Sequence, residues 1–326
     1  AVMPASLGNV QIVINPPRGR LDRGYGMTLS PYIIDSADQL HALAIAIANN
    51  GETLGGEGSG SLQQVYGFDL TGELTAQAKS EVIDFLIRAH YRLMDDIDFS
   101  QTKLTGYRGL GSLTNPFSGT FDGRGHTITL SVGDTYSENN VKDAAGISIG
   151  LFKYIKGATI RNLHVATETD SNRYGVRVTS ATSDPVQPSY NGLVTAVVLG
   201  GDNLLDNVLV SGKITVDAAG INNGNVFAGG YAGHIEAGTL QLINLPDTAV
   251  QSFQILTPSG PVPYDNSHYA SICPSVKDGY VLYDGEDPST TVILSGDSTI
   301  NGRVNEYLNV TVGQAVGGGN TYEYSF

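Results

Sequence analysis

The chain has 326 residues, of which 40% are hydrophobic and 15% charged, with 41 glycines and 13 prolines. This composition is typical of a β-rich protein with many turns, and the length suits one elongated domain or two ordinary ones. The net charge of −14 argues against nucleic acid as a partner, and the sequence holds no apolar run long enough for a membrane-spanning helix.

The single cysteine and the N-terminal residue are used to predict the cellular location of the protein. Cys273 has no cysteine to pair with in its own chain, and we expect it to be a small buried apolar side chain. The chain begins with Ala1 and shows no charged-then-apolar leader. We therefore expect a mature secreted or cell-surface protein from which a signal peptide has been removed.

Strand-like segments lie at both ends of the chain. Residues 10–14 (VQIVI) form an apolar β segment inside an N-terminal strand and loop, 1–30, and the chain ends with YEYSF at 322–326. Such a terminal strand pairs either within its own chain or with the sheet edge of another copy. The candidates for strand exchange are Val10, Ile12, Ile14, Tyr322, Tyr324 and Phe326.

Two helices are predicted within a helical cap over residues 31–90. The first is predicted over 36–50, because Ser36 with Gln39 three residues later matches a capping box and apolar residues recur at helical spacing. The second is predicted over 75–90. Residues 54–90 form an insertion that contains this second helix.

Repeated segments follow once helical periodicity ends. The windows 150–165 and 230–245 align without a gap, and 192–210 matches them with three extra residues at its turn. Each unit holds two short apolar strands around a turn and is too small to bury its own apolar face, so the units must stack. We therefore predict a mainly β fold in which residues 91–250 form a right-handed parallel β-helix.

The window alignment predicts which residues occupy equivalent places. Asn162 and Asn207 match, so their side-chain amides are expected to stack at a turn, while Leu242 takes that place in the third unit. The alignment also matches Ile155 with Val197 and Ile235, and Leu163 with Val208 and Ile243. The residues expected to point into the core are Ile155, Ile160, Leu163, Val197, Ile235 and Ile243.

The last region, 251–326, differs from the repeats. Three prolines, Pro258, Pro261 and Pro263, indicate a linker at its start. Short strand-like runs follow between Asp and Gly turns, so we expect a small C-terminal β domain or a β cap.

Three segments form a recognisable set. They are 31–53 (PYIIDSADQLHALAIAIANNGET), 91–100 (YRLMDDIDFS) and 116–130 (PFSGTFDGRGHTITL), which leads into the first repeat. Together they resemble the start of bacterial cell-surface right-handed β-helix proteins with GLUG-type repeats, in which a helical cap precedes stacked coils. The resemblance covers about 31–250. It implies a secreted or cell-surface setting and an adhesin-like or spacer role, with no catalytic residue to carry over.

The acidic cluster Asp95, Asp96 and Asp98 is the first candidate site. Asp96 and Asp98 are spaced like the first ligands of an EF-hand loop and are therefore calcium candidates. However, Gln101 stands where that loop requires glycine and Tyr107 where it requires glutamate. In the alternative reading, the short Asp side chains accept hydrogen bonds from turn amides, and no cofactor is bound.

The segment 121–126 (FDGRGH) is the second candidate site. Asp122 and His126 are of the residue types that serve acid–base chemistry or contact a carbohydrate. The two glycines, Gly123 and Gly125, are also what a tight turn with positive φ requires, so we expect a structural turn. The sequence holds no zinc-protease, P-loop or nucleophile-elbow motif, and we expect no enzymatic activity.

Three functions fit these observations. The leading hypothesis is an adhesin or a binding and spacer module, whose partner is a carbohydrate or protein on another surface. One alternative is a subunit that assembles with copies of itself into an extracellular filament or surface layer, and another is a polysaccharide lyase or glycoside hydrolase. Candidate sugar-stacking side chains, which otherwise serve strand packing, are Tyr174, Tyr190 and Tyr231.

Overall fold

A computed structural model shows a mainly β protein, and the part of the chain that the structure describes contains two helices towards its N-terminal end. Among the described residues, no helix is long and apolar enough to cross a membrane. The structure describes residues 21–48, 75–99, 107, 109–130, 142–143, 146–167, 176–179, 189–217, 226–245, 253–257, 260–261, 269–270, 272–284, 291–295, 311–312 and 324–325.

The first helix, α1 (Ala37–Ala48), starts where the capping pattern predicts. The Ser36 carbonyl accepts the first helical hydrogen bond, from Leu40. The Gln39 side chain does turn back, but it accepts from the backbone N–H of Asp35 at 2.7 Å, one residue before the predicted partner. The predicted end of this helix at residue 50 lies outside the described residues.

The second helix, α2 (Ala76–Arg88), confirms the helix predicted over 75–90. The Thr75 hydroxyl caps it by accepting from the N–H of Ala78 at 3.1 Å. Asp84 and Arg88 form an ion pair one turn apart at 2.8 Å.

The strands are short and numerous. In chain order they are β1 (Tyr32–Ile34), β2 (His90–Leu93), β3 (Ile97–Asp98), β4 (Thr120–Asp122), β5 (Thr127–Leu130), β6 (Lys142–Asp143), β7 (Gly146–Ile149), β8 (Phe152–Lys156), β9 (Thr159–Thr167), β10 (Val176–Thr179), β11 (Ser189–Gly192), β12 (Thr195–Gly200), β13 (Asp202–Asp217), β14 (Val226–Gly229), β15 (Ala232–Ile243), β16 (Phe253–Thr257), β17 (Gly260–Pro261), β18 (Tyr269–Ala270), β19 (Val276–Asp284), β20 (Thr291–Ser295), β21 (Thr311–Val312) and β22 (Tyr324–Ser325).

Most of these strands pair in parallel with the equivalent strand of the next repeat. The main sheet follows the order β1-β2-β4-β9-β13-β15, while β7, β11, β14 and β18 stack in a second sheet. One column of facing residues runs through the main sheet, and its members are at most 3% exposed. The column contains Tyr32, Tyr91, Phe121, Ile160, Leu205 and Leu242.

The helix α1 belongs to the same core as these strands. Its residues Leu40, Leu43 and Ile47 are fully buried and lie in one cluster with Ile34 of β1 and Leu93 of β2. The apolar face of the helix is therefore buried in the same core as the first strands of the stack.

Parallel pairing continues beyond residue 250, where the sequence analysis placed a regional boundary. β16 pairs in parallel with β13, and β19 pairs in parallel with β15. The pattern then changes, because β20 pairs antiparallel with β19. The strands immediately after the predicted linker thus extend the stack.

The predicted core position of Val197 is wrong. The structure pairs Val198, and not Val197, with both Ile155 and Ile235. Val197 lies instead in a small separate cluster with Tyr154 and Ala196. Successive residues of a strand point to opposite faces, so the one-residue error in the alignment moved Val197 to the wrong face.

The predicted core position of Ile243 is also wrong, because Ile243 pairs with Asp206 and not with Val208. The second repeat is longer than the first here. Val198 pairs with a residue 43 positions earlier (Ile155), whereas Leu204 pairs with one 45 positions earlier (Thr159). These two extra residues arise at a register shift after Val198. The third repeat keeps the register of the second, so the gap-free alignment of the first and third windows misses them.

The same correction places a third asparagine at the equivalent turn, although its side-chain amide donates to Asp206 Oδ1 at 2.6 Å and not to Asn207. Asn244, and not Leu242, occupies the third place, since Asn162, Asn207 and Asn244 all adopt left-handed conformations with φ of 49°, 52° and 54°. The Asn207 amide donates to Asn162 Oδ1 at 3.2 Å, and the Asn162 amide donates to Asp122 Oδ1 at 3.3 Å. These residues form the corner at which the chain turns from one sheet face to the next.

Leu163→Asp tests the buried stack. Leu163 is 2% exposed, so the new carboxylate would lie in the core, and we expect the free energy of unfolding to fall by about 3 kcal/mol or more. Urea denaturation measures this, with Lys156→Asp at an exposed site as the control. An unchanged denaturation midpoint in Leu163→Asp would rule out the burial described for the stack.

The left-handed conformation at the corner predicts which of two substitutions is the more destabilising. Asn207→Ala is expected to destabilise the protein by about 1 kcal/mol more than Asn207→Gly, because alanine resists a left-handed conformation and glycine does not. At Gln241 in β15 the order should reverse, with glycine the worse replacement. Equal effects of alanine and glycine at Asn207 would contradict the corner.

Candidate functional site

Beyond the asparagine corner, half-buried polar side chains cross the outer face of three stacked strands. We call this row, together with Asp96 at its start, the polar strip: Asp96, Thr127 of β5, His164 of β9 and Ser211 of β13. Their neighbours Ile128, Val165 and Val210 point into the core and are at most 1% exposed. Strand alternation therefore places the strip on the outer face.

Asp96 fixes the start of the strip. Its Oδ1 accepts the backbone N–H of Thr127 at 2.8 Å and lies 3.2 Å from Nδ1 of His126. The Thr127 hydrogen bond lowers the pKa of Asp96, and His126 adds to this effect. Asp95 in turn accepts the backbone N–H of Asp96 at 2.9 Å. The reading of these acids as acceptors for backbone amides is therefore confirmed for Asp95 and Asp96.

The calcium candidates Asp96 and Asp98 do not share a ligand cage in the described ranges. Asp98 lies in β3, where its backbone pairs with Thr129. Within those ranges no group of three His, Cys, Asp or Glu side chains is placed to hold a metal ion. The partners of the Asp96 carboxylate are the His126 imidazole and the backbone N–H of Thr127. These two groups are hydrogen-bonding partners of a carboxylate and do not form a calcium site with it.

The imidazole of His164 lies in the middle of the polar strip, with a hydroxyl group close to each of its ring nitrogens. His164 Nε2 lies 2.7 Å from Ser211 Oγ, and Nδ1 lies 3.3 Å from Thr127 Oγ1. Burial lowers the pKa of His164, while the charge of Asp96 opposes this shift. A neutral imidazole with one hydroxyl at each nitrogen can both donate and accept hydrogen bonds.

The FDGRGH segment forms the predicted tight turn, with positive φ at Gly125 as expected but at Arg124 and not at Gly123. Arg124 and Gly125 have φ of 54° and 84°, and Asp122 Oδ1 accepts the backbone N–H of Arg124 at 3.1 Å. Asp122 also pairs with Arg161 at 3.0 Å, whereas the contact of His126 is with Asp96. The acid and the base of this segment therefore serve different neighbours.

A second polar cluster lies on the outer face of β15. We call it the His234 cluster, and it comprises Tyr190, His234, Glu236, Ser275 and Lys277. His234 Nδ1 lies 2.9 Å from Ser275 Oγ, and Nε2 lies 3.1 Å from Glu236 Oε2. The Lys277 ammonium donates to Glu236 Oε1 at 2.5 Å. The Tyr190 ring stacks on the imidazole with 4.2 Å between centroids and 13° between planes.

Burial and charge set the protonation states of the His234 cluster. Burial lowers the pKa of His234, although the hydrogen bond to the Glu236 carboxylate raises it in part. The hydrogen bond from Lys277 lowers the pKa of Glu236. Burial raises the pKa of Tyr190. Near neutral pH the cluster thus combines a neutral imidazole with an ionised carboxylate.

The three tyrosine candidates have different outcomes. Tyr231 is fully buried, and its hydroxyl donates to the carbonyl of Val208 at 3.1 Å, so it packs in the core. Tyr190 is half-buried on the outer face, and Tyr174 lies outside the described residues. Cys273 is 2% exposed as expected, and burial raises the pKa of its thiol to about 12.

The terminal strand-exchange candidates stay predictions. Tyr324 lies in β22, which pairs antiparallel with β21 of the same chain through Val312. The other five candidates lie outside the described residues: Val10, Ile12, Ile14, Tyr322 and Phe326.

Sequence reasoning missed both serines that contact an imidazole. Ser211 and Ser275 follow their histidine partners by 47 and 41 positions, close to one repeat. A search for polar residues one repeat apart on the same strand face would have found them, provided that the repeat register was right.

Comparison with protein-family models gave no match, and comparison with curated proteins gave none either. Among solved structures, the chain is similar to one from Bacteroides ovatus described as a putative immunoglobulin A1 protease. The two chains share 13% sequence identity over 86% of this chain and 84% of that chain, with a TM-score of 0.32. A likeness this distant assigns no function.

The two lowered imidazole pKa values predict how stability depends on pH. A group whose pKa is lower in the folded state binds protons more readily when unfolded, so stability is lost as pH falls below the ordinary value of 6.5. Denaturation midpoints at pH 7.5 and 5.0 should therefore differ more for the parent than for a His164→Gln/His234→Gln variant. An equal pH dependence would contradict the assignment.

Proposed function

We propose that the chain is an extracellular contact module of a bacterial surface protein, which binds a neutral glycan along the polar strip. The observation that carries this proposal is the strip itself, an unbroken hydrogen-bonded row across stacked strands of one rigid sheet. The bacterial surface setting rests on the sequence resemblance of 31–250 to GLUG-type β-helix proteins.

The proposed architecture is a right-handed parallel β-helix. Three features support it: parallel pairing of each strand with its equivalent in the next repeat, one continuous buried column, and a corner that recurs at Asn162, Asn207 and Asn244. Such a stack presents its outer faces as flat, rigid surfaces, which suits a module that works by contact.

The chemistry of the strip matches the hydroxyl groups of a sugar. Sugar hydroxyls both donate and accept hydrogen bonds, and so do Thr127, His164 and Ser211. Neighbouring strands lie about 4.8 Å apart, and three such spacings separate Asp96, which directly precedes β3, from Ser211 on β13, so the strip is about 14 Å long. That length accommodates a short stretch of an extended polysaccharide.

The negative charge of the protein indicates which class of glycan the polar strip binds. The chain carries a net charge of −14, and Asp96 at the start of the strip has a lowered pKa and is ionised near neutral pH. A polymer of uronates or sulfated sugars would be repelled by this field. We therefore assign the strip to neutral glycans.

Affinity electrophoresis tests the proposal. The full chain should be retarded in native gels that contain a neutral polysaccharide, such as a galactomannan, a xyloglucan or an α-glucan, and should run unretarded with alginate. His164→Ala/Ser211→Ala removes two hydrogen-bonding groups and should weaken the apparent affinity about tenfold.

The control is Gln241→Ala, which removes a half-buried polar side chain from β15 outside the strip. It should bind like the parent. Retardation by none of the neutral polymers, or equal retardation of the double variant and the parent, would refute binding at the strip.

A further inference from the structure

The His234 cluster contains the parts of a nucleophile–base–acid arrangement. One imidazole nitrogen faces a serine hydroxyl at 2.9 Å, and the other faces the Glu236 carboxylate at 3.1 Å. Both distances are within the range required for proton transfer between a nucleophile and its base, and for orientation of the base by an acid. Such a constellation is recognised by geometry and not by residue order in the chain.

The register of two stacked strands assembles the cluster. His234 and Glu236 are two residues apart in β15, on either side of Ile235, which is fully buried. Ile235 pairs with Val276, so Ser275 comes next to His234 and Lys277 next to Glu236. The Ile235 N–H donates to the Ser275 carbonyl at 2.9 Å, which fixes the backbone at the serine.

The hydrogen bonds determine which nitrogen carries the proton. Glu236 is ionised, because Lys277 lowers its pKa, so the Nε2 of His234 donates to it. The lone pair of Nδ1 then faces the Ser275 hydroxyl. Burial keeps the imidazole neutral near pH 7, which is the form that acts as a base.

Packing holds the imidazole in place. His234 is only 5% exposed, and the Tyr190 ring covers one of its faces. Phe227 lies 5.4 Å from Tyr190 and supports it. Ser275, by contrast, is partly exposed, and so are Glu236 and Lys277, so a molecule from solvent can approach the cluster on the side of the serine and the carboxylate.

We propose that Ser275 is a nucleophile, activated by His234, that takes acyl groups from small carboxylic esters. In the first step the Ser275 oxygen bonds to the ester carbonyl carbon, and its proton passes to His234. The bond from that carbon to the alcohol oxygen then breaks, and the alcohol leaves with the proton from His234. Water, deprotonated by His234, hydrolyses the acyl-serine to carboxylic acid and restores the serine proton.

Glu236 is a positioning residue in this scheme. It orients the imidazole and stabilises the imidazolium that forms when His234 takes the serine proton. Lys277 keeps Glu236 ionised. The proposal does not depend on the polar strip, which lies on other strands.

Two probes test the proposal on the full chain: p-nitrophenyl acetate, followed by nitrophenolate release, and a fluorophosphonate, followed by peptide mass mapping. The fluorophosphonate adduct should map to Ser275. Ser275→Ala should abolish release, and His234→Gln should slow it about 100-fold or more. Unchanged circular dichroism and melting temperature show that each variant still folds.

The chain supplies its own control serine. Ser211 also lies close to an imidazole nitrogen, but a threonine hydroxyl takes the place of the carboxylate at the other nitrogen. Labelling should therefore favour Ser275 over Ser211. Equal labelling of the two serines, or no labelling of Ser275 in the folded protein, would overturn the proposal.

The pH profile separates positioning from a structural role. The labelling rate should rise with pH as His234 loses its proton, with a midpoint below 6.5 because burial lowers the pKa of His234. Glu236 raises that pKa in part, so Glu236→Gln should move the midpoint lower and slow labelling. A Glu236→Gln variant with unchanged rate and midpoint would contradict the role of Glu236.

Discussion

In-register parallel stacking is the constraint on which the structure depends. Each repeat places one apolar residue directly above that of the previous repeat, as in the column from Tyr91 through Phe121 and Ile160 to Leu205. These side chains are at most 1% exposed, so each strand buries its inner face only because a neighbour is stacked on it. A one-residue change of register would carry outward-facing polar residues into this column.

The outer surface follows from the same stacking. A strand that places Val165 inward must place His164 outward, and the strand that places Ile235 inward must place His234 and Glu236 outward. Equivalent strands lie about 4.8 Å apart, so outward side chains of successive repeats reach one another. Both polar groups on the outer face are therefore consequences of the core register.

Part of the fold could be predicted from the sequence, because helix starts and turns depend on residues that are close together in the chain. The helix start at Ser36 and the turn around Gly125 depend on neighbouring residues and were predicted. The repeat alignment located the stack, but it gave the second window three extra residues and the third window none, whereas the structure shows two in each. Val197 and Ile243 were therefore placed wrongly. Asn244 was missed for the same reason.

The contacts between polar side chains were less accessible. Asp96 and His126 are 30 positions apart and were treated as parts of separate candidate sites, although the structure places them 3.2 Å apart. Their contact depends on β3 pairing with β5, a register that local motifs do not specify. Hydrogen bonds between repeats need the register to within one residue, a stricter requirement than recognition of the fold.

The two serine–imidazole pairs show how the same stacking yields different chemistry. At His164 the second ring nitrogen faces a threonine hydroxyl, whereas at His234 it faces a carboxylate held by Lys277. Burial lowers the pKa of both imidazoles, so burial alone does not distinguish them. The partner at the far nitrogen does, because an ionised carboxylate stabilises an imidazolium and a neutral hydroxyl does so much less. The partner of the far nitrogen, Glu236 on the same strand as His234 but Thr127 on the strand next to His164, thus separates a base from a hydrogen-bonding surface.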